Sequence, residues 1–301
     1  MKHLLITALS VLAVGMASVA WAGPYSQAID DSSNPYDPGI PGFVEGQVNP
    51  IFTGWATACV EYDPFDLTEI QNYQGGAYSH PEKALGPVTG SNGHIVSLGD
   101  MDATEIAAWQ SDPVNNHGPG SITLTFAGPL FNGTGADFAV FENGFGSATS
   151  IFAELGYVDV SSDGEHFARF PSVSLTTGPV GGYGNVDPTD VYNLVGKHIN
   201  AYGKCWGTPF DLEDLAADPL VTQGIVDLDA ITHVRIVDVP GSGDFLDSQN
   251  PANGIYDAWV TWGSGGVDLE AVGVIHGTPE PSVLVLLLGG VVAAVSVRRY
   301  R

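Results

Sequence analysis

The chain has 301 residues with 34 Asp and Glu against 9 Lys and Arg, a formal charge of −25. An imbalance of this sign excludes a nucleic-acid binder, because phosphate contacts need Lys and Arg. A hydrophobic fraction of 44% excludes a disordered acidic chain, and 39 Gly with 20 Pro argue for a turn-rich β protein over a helical bundle.

Lys2 and His3 precede an apolar run from Leu4 to Val19, and Ala20-Trp21-Ala22 supplies a small-x-small site. This layout predicts a secretory signal peptide over 1–22, cleaved after Ala22 by signal peptidase. Residues 23–50, rich in Pro, Gly, Asp, Asn and Ser without periodicity, read as an irregular leader. A β-sandwich domain is expected over 51–277. Asp102 with Glu105 three residues later forms a capping-box signal before Ile106–Trp109. Ser121 to Phe126 alternates, with Ile122, Leu124 and Phe126 on one face, and Asp137 to Glu142 reads as a second strand. Gly156 to Ser161 runs into Asp163-Gly164 and then His166 to Phe170, the pattern of a hairpin. Asp211 to Ala217 reads as a short helical turn. Ile231 to Val239 and Val267 to Ile275 complete the clear strands. These elements predict an all-β fold, an antiparallel sandwich or jelly roll with few short helices, flanked by an N-terminal signal helix and a C-terminal transmembrane helix.

The tail, 278–301, carries Pro279-Glu280-Pro281, then Ser282 to Val297 without a charge, then Arg298, Arg299 and Arg301 around Tyr300. Sixteen helical residues span about 24 Å, a short membrane helix that snorkelling arginines can accommodate. Pro-Glu-Pro, an apolar helix and an Arg cluster in this order resemble the PEP-CTERM sorting signal. That resemblance implies export by a Gram-negative bacterium, transient anchoring in the inner membrane, and an exosortase that recognises the tail and delivers the protein to the cell surface or extracellular matrix. With both ends set aside, the body from Gly23 to Thr278 holds five bases and 33 acids, a charge of −28.

Within the body, VDVSSDGEHFARF, ITHVRIVDV and DLEAVGV resemble the galactose-binding-like, discoidin-type β-sandwiches, and Lys83 to Gly86 resembles their first loop. The wider run from Val96-Ser-Leu-Gly99 through GADFAVFENGF to GGVDLEAVGV resembles exported bacterial surface proteins that carry the same tail. These motifs specify a fold and carry no ligand-binding signature.

Strand phase supplies the chemical clue. Glu142 is in phase with Phe138 and Val140, Asp238 with Val234 and Ile236, and Asp268 and Glu270 with Val272 and Val274. Acids in core phase are costly unless paired, hydrogen-bonded or bound to metal. Glu142, Asp238, Asp268 and Glu270 are therefore candidate ligands for Ca²⁺, which takes oxygen donors; the alternative is acids that accept backbone N–H groups or reach solvent. Asp244, Asp247, Asn250, Asn253 and Asp257 form a weaker oxygen-rich set without EF-hand order. Cys59 and Cys205 either pair in the oxidising periplasm or stay as two separate buried thiols, with pairing the favoured expectation.

No H-E-x-x-H, Cys-His zinc spacing or G-x-S-x-G elbow is present. Trp206, Trp259, Trp262 and Phe245, with Tyr183 and Tyr202, lie in or beside Gly-rich loops and are candidates for stacking on sugar rings. The reading from sequence is thus an exported, non-catalytic binding module for extracellular polysaccharide or a small ligand. A structural surface or biofilm component is the alternative, and a hydrolase trails both.

Overall fold

The computed structural model describes residues 22, 23, 25, 47–147 and 149–278. The signal segment through Trp21, most of the leader and the tail from Pro279 lie outside the described residues. So do Ala20, Pro279, Glu280, Pro281, Arg298, Arg299 and Arg301. Among the described residues no helix is long and apolar enough to cross a membrane.

The strands are β1 (Gly54–Asp63), β2 (Val96–Ser97), β3 (Ser121–Leu130), β4 (Phe138–Glu142), β5 (Phe145–Ser147), β6 (Ser150–Phe152) and β7 (Gly156–Ser161). They continue with β8 (Ala168–Arg169), β9 (Val173–Ser174), β10 (Val191–Tyr192), β11 (Thr208–Phe210), β12 (Ile231–Asp238) and β13 (Asp268–Val274). The α-helices are short: α1 (Leu67–Asn72), α2 (Ala103–Ser111) and α3 (Pro219–Thr222). The main sheet runs β11-β4-β13-β1-β3-β12-β7-β8, with β2 beside β13; β5–β6 and β9–β10 are separate two-stranded ribbons. Every one of these pairings is antiparallel. The fold is all-β, as the strand density predicts, with the main sheet curled into a half-barrel.

Local signals explain the elements. Asp102 accepts from the Thr104 and Glu105 amides while Glu105 Oε2 accepts from Asp102 N at 2.7 Å, a complete capping box at the start of α2. The β7–β8 hairpin turns at Asp163-Gly164, where Gly164 takes φ +80°, a conformation glycine adopts without strain. Asp163 Oδ1 accepts from the Glu165 and His166 amides and fixes the turn. Asp211 caps a 3₁₀ turn at Leu212–Leu215.

Both faces of the sheet are covered. Ile122, Leu124, Phe138, Val140, Val158, Val160, Val234 and Ile236 fill one core. Ala139, Phe141, Ile151, Leu155, Trp206 and Ile255 fill a second. Each large side chain removed from water contributes about 1.5–3 kcal/mol, so the double layer accounts for strands such as β4 that are buried at every position.

Two expectations are corrected here. The ladder between β13 and β4 pairs Leu269 with Glu142 and Ala271 with Phe141, leaving Glu270 as an extra residue. This irregularity shifts the alternation, so Leu269 joins Val272 and Val274 in one core. Asp268 and Glu270 therefore do not share the phase of Val272 and Val274. The cysteines are both free thiols. Cys59 packs at the margin of the first core and Cys205 belongs to the second. Thiols serving different cores are not brought together. Burial raises the Cys59 thiol and pushes Cys205 up to about 11.

Candidate ligand-binding cleft

Antiparallel pairing decides which strand ends meet. Glu142 at the end of β4 lies opposite Leu269, next to Asp268 at the start of β13. Asp238 at the end of β12 lies opposite Gly156 at the start of β7. Three of the four acids singled out by strand phase thus sit at one end of the sheet. Loops add three more: Asp100 after β2, Glu154 before β7, and Asp257 from the segment between β12 and β13.

The backbone partly satisfies this cluster. Asp100 accepts from Met101 N at 2.8 Å and Thr261 N at 2.9 Å. Asp238 Oδ1 accepts from Val267 N at 2.8 Å, and Asp257 Oδ2 from Leu155 N at 2.6 Å. Asp268 has the Ser97 and Ser264 hydroxyls beside it, and Glu154 the Thr261 hydroxyl. Three carboxylate oxygens remain buried without a hydrogen-bond partner: Glu142 Oε2, Asp238 Oδ2 and Asp268 Oδ1. An uncompensated buried acceptor is rare in a folded protein.

Burial and mutual repulsion act in the same direction. Desolvation, followed by the Asp268 carboxylate, lifts Glu142 well above the usual carboxylate range. Desolvation, then Asp268 and Glu142, does the same to Glu154. Burial and the neighbouring Asp100 raise Asp238; burial raises Asp257, with Asp100 and Asp238 adding repulsion. Asp268 is raised by burial, and Asp100, also desolvated, is pushed up to about 7. Arginines are spent elsewhere. Arg169 Nε and Arg235 Nη2, each 2.7 Å from an oxygen of buried Asp159, clamp that carboxylate.

Glu270 stands apart from this cluster, in contrast to the expectation. Its Oε1 accepts from Thr89 N at 2.7 Å and from the Thr89 hydroxyl, and its Oε2 from Asn200 Nδ2. It joins two loops to the sheet. In the weaker oxygen-rich set, Asp247 accepts from the Ser174, Gln249 and Asn253 amides and from Asn253 Nδ2. Burial raises it, but these donors outweigh burial and hold it below the usual range, as suits a loop-organising carboxylate. Among the described residues no group of three or more His, Cys, Asp and Glu side chains forms a ready metal centre.

Above the acid end lies a cleft of about 410 Å³. Glu154 and Asp268 contribute to its lining together with Asn143, Thr261 and Ser264. Its aromatic lining comprises Trp262, Tyr183, Tyr73, Phe145 and Phe152. Trp262 is 64% exposed and Tyr183 89% exposed, while Phe145 stacks on Phe152 with centroids 4.7 Å apart. Of the six aromatics singled out from sequence, Trp262 and Tyr183 line this cleft, and Tyr202 stands edge-on to Phe145 beside it. Trp206 is only 2% exposed, Phe245 is buried and stacks on Trp109, and half-buried Trp259 donates Nε1–H to Met101 O at 2.8 Å. These three plug the second core or its margin, because the Gly-rich loops that carry them fold back over the sheet.

Sequence pattern does not reveal Glu154 or Asp100, which lie in loops without periodicity. Asp257 was visible only as part of the oxygen-rich loop. No protein-family model matches the chain, and no curated protein matches it.

Proposed function

We propose that the chain is an exported surface protein whose sandwich is a non-catalytic binding module, with the cleft at the acid end taking a sugar ring of an extracellular polysaccharide. The observation that carries this reading is the convergence of exposed aromatic side chains, Trp262 and Tyr183 foremost, over a floor of carboxylate, amide and hydroxyl groups. Large aromatic faces left in water favour a flat partner, and a pyranose offers an apolar face to the ring and hydroxyls to the floor. Acceptors such as Glu154 and Asp268 suit hydroxyl donors. The signal segment and the tail with Pro279-Glu280-Pro281 support delivery through signal peptidase and an exosortase to the surface or matrix.

A glycan array probed with the full chain tests the reading. Binding of at least one polysaccharide family is expected, weakened about tenfold or more by Trp262→Ala, which costs about 1.4 kcal/mol of binding energy or more. Absence of glycan binding with Ca²⁺ present would reject the cleft reading and favour a structural surface role.

A further inference from the structure

We propose that the buried acids beside the cleft form a site for one hard divalent cation of the Ca²⁺ type, held by Glu142 and by Asp268, which also lines the cleft, and closed by neutral oxygens including that of Asn143. The inference starts from unmade interactions. Glu142 Oε2, Asp268 Oδ1 and Asn143 Oδ1 are all buried without a hydrogen-bond partner. Glu142 is 3% exposed and Asp268 5% exposed. All three atoms are acceptors, so they cannot satisfy one another. A cation can satisfy all of them at once, and an oxygen-only set matches Ca²⁺ better than a transition metal.

The surroundings fit the same occupant. The first charge–charge influence on Glu142 is Asp268, and that on Glu154 is also Asp268, so the site gathers negative charge. Backbone comes unusually close. A Cβ on Gly144 would stand 2.8 Å from His198 O and 3.2 Å from Glu142 Oε2. A Cβ on Gly196 would stand 2.1 Å from Glu154 O and 3.4 Å from the same Glu142 oxygen. Neither glycine could carry a side chain without displacing backbone, so the chain stays close around the Glu142 carboxyl. Three carboxylates do not close on a common point among the described residues, so the sphere needs two carboxylates supplemented by amide and carbonyl oxygens and by water. Asn143 and Asp268 line the cleft, which gives the ion its entry path. This inference does not depend on what the cleft binds.

The test is calorimetric titration of the full chain with CaCl₂ after treatment with EDTA. Thermal melts with and without Ca²⁺, and Tb³⁺ luminescence excited through tryptophan, accompany it. One site per chain, a higher Tm in Ca²⁺, and Tb³⁺ emission that Ca²⁺ displaces are expected. Glu142→Gln and Asp268→Asn, which keep the side-chain shape, should each weaken Ca²⁺ binding at least about tenfold, while Glu165→Gln on the exposed hairpin should leave it unchanged. A wild-type chain giving no heat, no Tm shift and no Tb³⁺ emission overturns the proposal, whether or not the variants fold. Full Ca²⁺ affinity in both folded variants overturns it as well. A failed glycan array leaves these readouts untouched, so the two readings fail separately.

Discussion

Replacing Glu142 by Gln should stabilise the metal-free protein at neutral pH. The side chain is buried at the end of β4, and burial with Asp268 nearby raises it well above its ordinary value of 4.5. Folding therefore carries a protonation cost that grows as pH rises above that ordinary value. Gln removes this cost. The Gln amide stays uncharged at every pH, and imperfect hydrogen-bond geometry in the buried site offsets about 1 kcal/mol of the gain. The expected net gain is on the order of 1 kcal/mol, or roughly 2–4 °C in Tm for a domain of this size. The sign follows from linkage. A carboxyl raised in the folded state makes that state bind more protons, so wild-type stability is fullest below the unfolded value near 4.5 and falls as pH rises towards the folded value. The advantage of Gln should therefore be absent at pH 4 and present at pH 7.5. Differential scanning calorimetry in EDTA at both pH values measures it. A Gln variant that is less stable than wild type at pH 7.5, or whose advantage is the same at pH 4, would refute the reasoning.

Other consequences concern the rest of the frame. Removing either Arg169 or Arg235 by Ala leaves buried Asp159 with one guanidinium, at a cost of about 1–2 kcal/mol; removing both should cost more than the two single losses together, as a double-mutant cycle in urea would show. Additive losses would mean the two arginines act independently. Thiol titration of the unreduced chain in denaturant should count two thiols. In the folded protein Cys205 should react far more slowly than Cys59, being buried with a thiol at about 11. A count of zero would restore the bridge.

Local pattern made much of the frame legible. The Ile122–Leu124 alternation, the Asp163-Gly164 hairpin and the Asp102–Glu105 capping box all form as their residues predict, because each depends on neighbours within a few positions. Core-phase acids were legible for the same reason: Glu142 and Asp238 interrupt runs whose other members are buried. The aromatic candidates fared differently. Residue type marks Trp206 and Phe245 as fit to stack on a ligand or to fill a core, and the surrounding glycines carry no information on which way a loop folds.

The order of residues along the chain set the alternation of strands, the turns and caps between them, the acidic body between two basic ends, and the presence of carboxylates where apolar residues belong. These properties are carried by spacing and composition, which act over short range along the chain. Tertiary structure alone decided that Glu142, Glu154, Asp238, Asp257, Asp268 and Asp100 meet at one end of the sheet, and that Glu270 does not join them. Antiparallel pairing chose which strand ends coincide, the extra residue in β13 reset the phase, and contacts such as Asp100 with Thr261 join loops far apart in the chain. No local pattern encodes such contacts. They follow from how the sheet curls and which loops close over its end.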